Sequence, residues 1–188
     1  MATETIIVTP IEIVKRTPLN GNVDVDKFAF LIPDQQRFIL EESLGTALFN
    51  KILEDIETLG IDNLIDPYKL IVFSYCKPIL INSVFAEFIN FADVTIDNNG
   101  VFNVLPADSQ VVDNEKVLRM VKTYREKAQV YLSRMERYLC DKGYLIPEYQ
   151  DAQPENYDID PVRNSNIVGG LYLKSNMKLP WYLDESDI

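Results

Sequence analysis

The sequence predicts a mainly α-helical protein, a helical bundle carrying a β-hairpin insertion and an extended C-terminal arm. Three observations predict it. Apolar residues recur at three- and four-residue steps through much of residues 24–143, with Asp, Pro and Gly where helices start and stop. Two alternating apolar runs flank Asn98-Asn99-Gly100, the turn chemistry of a hairpin. Beyond Gly143, Pro147, Pro154, Pro161 and Pro180 break any regular pattern, while Tyr144, Tyr149, Tyr157, Tyr172, Trp181 and Tyr182 are many aromatics for a disordered tail. The expected organisation is an N-terminal strand or arm over 1–23, a helical core over 24–143 with the hairpin at 94–105, and a docking arm over 144–188.

Residues 6–14, Ile-Ile-Val-Thr-Pro-Ile-Glu-Ile-Val, are largely β-branched and interrupted by Pro10, which suits an edge strand or an extended arm. Turn residues follow over 17–22, after which Asp24 or Asp26 can cap a short helix over Lys27–Ile32. Pro33 suits a first helical turn leading Asp34–Ser43, and Leu44-Gly45-Thr46 separates this from a second helical run to Thr58 that stops at Gly60. In that run Ala47, Leu48, Ile52, Leu53 and Ile56 share a face, with Glu54, Asp55 and Glu57 opposite.

Asp66-Pro67 pairs an N-cap oxygen with a residue whose missing N–H costs nothing at the first helical position, so a long helix is expected from Pro67 to about Ala92. Its apolar residues cover most of its circumference, which makes it the central core element, and Pro78 should kink or split it. Val94–Asp97 and Val101–Leu105 form the hairpin. Asp113 then caps a helix of nearly thirty residues ending at Gly143, in which Val117, Val121, Tyr124, Ala128, Tyr131, Met135 and Tyr138 form a packing seam. In the arm, Ile167–Leu173 can turn at Gly169-Gly170.

At 188 residues, 47% apolar and 25% charged, the chain can bury a sizeable core without disulfide or metal staples. Its net charge of −11 repels nucleic acid and anionic membranes, so neither general phosphate-backbone binding nor a membrane partner is expected. Histidine is absent, which removes His-based triads and dyads and imidazole-ligated zinc. Cys76 and Cys140 both sit in apolar helical contexts and read as buried thiols in a reducing compartment. No run of about 18 apolar residues is apparent, and the start Met1-Ala2-Thr3-Glu4-Thr5 lacks a basic signal region, so a protein made in a cytoplasm, or packaged from one, is expected.

The seven glycines spell no phosphate loop, so no cofactor is expected. Asp97-Asn98-Asn99-Gly100 reads as a turn, Asp24 and Asp26 as a cap, and the adjacent Glu41 and Glu42 as solvated, so no metal site and no enzymatic activity are expected. Charge is unevenly placed. From Asn114 to Cys140 seven basic residues face three acidic ones, leaving +4 on that helix and −15 on the rest. An ordinary solvated face is one explanation. The other is an interface, in which Arg119 and Arg134 meet the acidic surface of an adjacent copy and the arm contributes Leu171, Tyr172, Leu173, Trp181 and Tyr182.

The stretch Leu31-Ile32-Pro33-Asp34-Gln35-Gln36 through Leu44-Gly45-Thr46-Ala47-Leu48-Phe49 resembles the head–tail connector, or adaptor, proteins of tailed bacteriophages, with Phe49 where Tyr is frequent. The later order of long apolar helix, Asn-Gly hairpin and long charged helix is similar too, most of all to the neck ring proteins of crAss-like phages. The resemblance covers roughly residues 24–143. It implies a structural virion protein without an active site, in a ring of about twelve copies that touches the portal and other neck or tail proteins and lets DNA pass through its lumen. The alternative is a cytosolic helical adaptor outside any virion, binding one partner through its C-terminal arm.

Overall fold

Pro10, which argued for an edge strand, is instead the first residue of a helix in this computed structural model. The structure describes residues 5–19, 23–90, 115–150 and 159–161 in full, and the backbone alone of 91, 94–97, 100–103, 114, 167–168 and 171–172. Helix α1 (Pro10–Arg16) starts at a capping box: the Thr9 hydroxyl accepts from the Glu12 N–H at 3.3 Å, and the Glu12 carboxylate accepts from the Thr9 N–H at 3.0 Å. The strand expected over 6–14 is therefore corrected, because capping outweighs β-branched propensity and Pro10 forfeits only an N–H that a first turn leaves unpaired. Ahead of α1, Ile7 and Val8 are fully buried. The Ile7 N–H donates to Gln36 Oε1 at 2.9 Å and Gln36 Nε2 donates to the Thr5 carbonyl at 3.0 Å, so one buried side-chain amide serves this segment as a strand partner would.

Asp24 accepts from the Asp26 N–H at 3.2 Å, but α2 (Asp26–Ala29) has Val25 at its cap position with no side-chain cap hydrogen bond, which corrects the cap expected of Asp24 or Asp26. Backbone angles stay helical through α3 (Leu31–Gln35), a π-helical turn (Gln36–Glu41) and α4 (Glu42–Leu44), so the two short helices expected over 27–43 are pieces of one winding path. Gly45, at φ 80°, ends it; α5 (Thr46–Leu59) follows and Gly60, at φ 82°, stops that. Leu48, Phe49 and Ile52 face the core, Glu54 and Glu57 face solvent, and Asp55 pairs with Lys51 at 2.6 Å.

The central helix runs as α6 (Tyr68–Ile71), a π-helical turn (Val72–Cys76) and α7 (Lys77–Phe91). Pro67 occupies its cap position after a cis Asp66–Pro67 bond, with no side-chain cap hydrogen bond, which corrects the N-cap expected of Asp66. The interruption expected at Pro78 takes the form of the wide turn before it: the Lys77 N–H reaches the Val72 carbonyl five residues back. By length and composition Tyr68–Asn90 could cross a membrane, but 61% of its most apolar window is buried inside the protein. Helices α1 and α3 pack on it, and α8 (Asn114–Lys142) lies along α7. Of the α8 seam, Val121, Ala128 and Met135 are buried and the others half-buried, with the Tyr124 ring edge-on to Phe85 at 4.4 Å.

The helical body does not end at Gly143. A 3-10 turn (Gly143–Leu145) leads to α9 (Pro147–Gln150), where Pro147 starts a helix. Ile146 and Tyr149 are buried, α9 packs on α5, and the Tyr68 hydroxyl donates to Glu148 at 2.8 Å. Farther on, the Thr46 N–H donates to the Ile159 carbonyl at 3.1 Å, the Ile159 N–H donates to the Thr46 hydroxyl at 2.9 Å, and Pro161 is buried beside Gly45. Residues 144–150 and 159–161, expected in the arm, thus belong to the body.

Of the expected hairpin only backbone pairing is described, Val94–Asp97 antiparallel to Gly100–Asn103. Likewise Ile167–Val168 pairs with Leu171–Tyr172. Residues 98–99, 104–113 and 169–170 lie outside the described residues, as do Leu173, Trp181 and Tyr182. The described residues establish a mainly helical fold; the hairpin insertion and docking arm belong to the functional reading.

Candidate interaction surface

Helix α8 turns its seam inward, so its helical period sends its cations outward: Lys116, Arg119, Lys122, Arg125, Lys127, Arg134 and Arg137 are all exposed. Among the described residues, Lys122 and Arg125 are seen to pair with carboxylates. Lys122 lies 3.9 Å from Glu126, both well solvated and so contributing little, and Arg125 reaches across to Glu87 of α7 at 3.2 Å. Lys127 and Arg134 sit over the seam tyrosines Tyr124 and Tyr131, at 4.2 and 5.8 Å from the ring centroids. Arg119 is exposed on the same helix. It lies fifteen residues from Arg134, about 22 Å along the helix at 1.5 Å per residue. Leu118 and Val130 are exposed among these charges.

A groove of about 480 Å³ opens between the α3–α4 path, α7 and α8. Ile79 and Ser83 of α7 and Ala128 of α8 form its buried floor, Ile39 and Leu132 its sides. Phe38, 72% exposed, stands at its mouth. The π-helical turn produces that placement, burying Gln36 and Leu40 while Phe38 faces out. The groove's charges are Glu42, Glu87 and Glu136 against Arg125. Burial pushes the Glu136 carboxyl above its usual range. Glu41, expected to be merely solvated, accepts from the Thr46 hydroxyl at 3.0 Å.

Arg119 and Arg134 therefore share an outer helix, whereas only the backbones of Leu171 and Tyr172 are described and Leu173, Trp181 and Tyr182 lie outside the described residues. The groove carries no mark in the sequence, because its lining comes from three helices that meet only on packing. The cysteines part company. Cys76 is fully buried, its Sγ 4.0 Å from Met135 Sδ, and burial pushes its thiol up to about 12. Cys140 is exposed, because the seam continues through Leu139, which corrects the expectation that both thiols are buried. Among the described residues no three Cys, Asp or Glu side chains cluster as metal ligands. Chemically, the surface offers cationic charge on one side and an acid-rimmed apolar groove on another.

Fold and surface together define a mainly helical protein with a cationic outer helix. The model of a family of unknown function, DUF6712, matches residues 40–159, from the end of the π-helical turn to the residue bonded to Thr46, and the chain belongs to that family. No curated protein and no solved structure matches the chain.

Proposed function

We propose that this chain is a structural virion protein that assembles into a head–tail connector ring in the neck of a tailed bacteriophage, joining the portal to the tail and letting DNA pass. The observation that carries the reading is charge segregation: α8 holds its seam in the core and presents eight cations, Lys142 at its end included, while the rest of the chain carries −15. Such a molecule is complementary to copies of itself head to tail, and a heterologous contact of that kind closes into a ring when its rotation permits. The connector-like order of elements adds the neck and a ring of about twelve copies. In this reading Arg119 and Arg134 meet the acidic face of a neighbour. The arm's Trp181 and Tyr182, with Leu171, Tyr172 and Leu173, supply aromatic and apolar anchors toward a neighbour or the portal. A lumen lined by carboxylates lets DNA slide without trapping its phosphates.

The test is quantitative mass spectrometry of purified particles of a phage carrying this gene, normalised to the portal protein. A ratio near one to one supports a stoichiometric neck ring. Absence from the particles overturns the reading in favour of a cytosolic adaptor.

A further inference from the structure

We propose that copies of this chain associate through two complementary helical rows: Phe30, Asp34, Phe38 and Glu42 of one copy against Thr123, Lys127, Val130 and Arg134, on α8 of the next. The inference rests on the head-to-tail association in the reading above, and not on the virion or the neck.

The first row comes from the winding path that ends at Leu44. Phe30, Asp34, Phe38 and Glu42 are all exposed, the two rings at 58% and 72%. At about 3.6 residues per turn a four-residue step drifts round an α-helix, and the wider π-helical turn over Gln36–Glu41 takes that drift back, so ring and carboxylate alternate along one edge. The path around them is acidic, with Asp26, Asp34, Glu41 and Glu42 against Lys27 and Arg37. The second row lies on α8, one position ahead of the core seam at every step. Lys116, Met120, Thr123, Lys127, Val130 and Arg134 repeat the seam's alternation of four and three, every one is exposed, and none is a carboxylate. A repeat of that period marks a face that packs on another helix.

The rows correspond residue for residue when the two helices run parallel: Phe30 to Thr123, Asp34 to Lys127, Phe38 to Val130 and Glu42 to Arg134. From Phe30 to Glu42 is about 18 Å of helix and from Thr123 to Arg134 about 17 Å, so the register holds over all four pairs. Each exposed ring gains cover from a methyl-bearing side chain, and each carboxylate meets a cation. Charge and spacing together make a second copy the occupant. Within one chain the rows do not meet, because α8 faces the groove bordered by Phe38 and Glu42 through Ala128, Gln129 and Leu132, and the cationic row lies on its far side. The contact therefore joins unlike faces of two copies, the heterologous kind that closes into a ring.

The test uses the full chain with Cys140→Ser to remove the exposed thiol. Chains carrying Phe38→Cys are mixed with chains carrying Val130→Cys, and chains carrying Phe30→Cys with chains carrying Thr123→Cys; in the control Ile11→Cys, exposed on α1, replaces the first-row cysteine. Far-UV circular dichroism verifies folding of each. Mild oxidation, read by non-reducing electrophoresis and peptide mass spectrometry, should give the mixed disulfide about tenfold faster than the control from either pair. Asp34→Lys with Glu42→Lys in the first chain should remove that excess, and Lys127→Glu with Arg134→Glu added in the second should restore it. No excess from either pair overturns the proposal, as does an excess that charge reversal leaves unchanged. Faster pairing of Phe38→Cys with itself also overturns it, since that contact would join like faces. These results are read in solution and so stand apart from particle composition, which tests the connector reading.

Discussion

Gly45 and Gly60 make a matched pair that measures how firmly residues 159–161 are tied to the body. Both lie in a backbone region reserved for glycine, at φ 80° and ψ 152° and at φ 82° and ψ 148°, so a Gly→Ala substitution carries similar strain at each, about 1–3 kcal/mol. Their surroundings differ. A Cβ at Gly60 finds nothing nearer than the Asn63 amide at 3.9 Å, whereas a Cβ at Gly45 falls 2.7 Å from the Pro161 ring and 3.1 Å from the Ile159 carbonyl. The strap must then shift, straining or breaking the two hydrogen bonds between Ile159 and Thr46, a loss of about 1–3 kcal/mol at the usual net value per bond. Gly45→Ala should therefore cost about 1–3 kcal/mol more than Gly60→Ala, measured as the difference in urea-unfolding free energies with unchanged slope. Limited proteolysis should cut Gly45→Ala faster near residues 159–161, and Gly60→Ala no faster than wild type there. Equal costs within about 0.5 kcal/mol would refute the reasoning and show that the strap contributes nothing measurable to the fold.

Other expectations follow from buried polar groups. Gln36→Ala leaves the buried Ile7 N–H without its acceptor and should cost about 2–4 kcal/mol in urea unfolding, with faster amide exchange over residues 5–8 as the local signature. The Lys77 side chain is 6% exposed and bonds Glu12, 31% exposed, at 2.7 Å. Glu12→Ala strands the more buried charge and should cost about 3–5 kcal/mol, against under about 2 kcal/mol for Lys77→Met. Burial pushes the Glu12 carboxyl up, but its bonds to Lys77 and Thr9 and the attraction of Lys77 outweigh burial and hold it below 4.5. Its contribution is therefore complete above pH 4.5 and lost as pH falls through the lowered value; unfolding scans from neutral to acid pH should show this limb in wild type and a smaller one in Lys77→Met. A thiol reagent near neutral pH should label one cysteine per native chain, Cys140, and both in denaturant; rapid native labelling of Cys76 would contradict its burial.

The legible parts of the fold were those in which one residue type has one cheap role. Gly45 and Gly60 bound α5 because both require positive φ, and α8 ran over Asn114–Lys142 because its seam repeats too many times to fit anything but a helix. The N-terminus was misread although its signal was present. Thr9-Pro10-Ile11-Glu12 has the spacing of a capping box, and the β-branched residues around it drew attention to strand propensity, which burial and capping readily override. The two π-helical turns were not legible, since a shift of hydrogen-bond register from four residues to five leaves no fixed mark in side-chain polarity.

The candidate surface divides along the same line. That α8 is basic is a count of residues, and that its cations face outward follows from the seam, so this half could be read before any coordinates. The groove could not, because Glu42, Ile79 and Ala128 come from three helices and meet only after packing. The misplaced boundary at 143 had a further consequence. Pro147 reads as a breaker in the sequence, whereas it is the first residue of α9, and a composition rich in proline beyond 143 masks the docking of Tyr149, Ile159 and Pro161 on the body. Those contacts carry the described body past Gly143, through 144–150 and on to 159–161 beside Gly45.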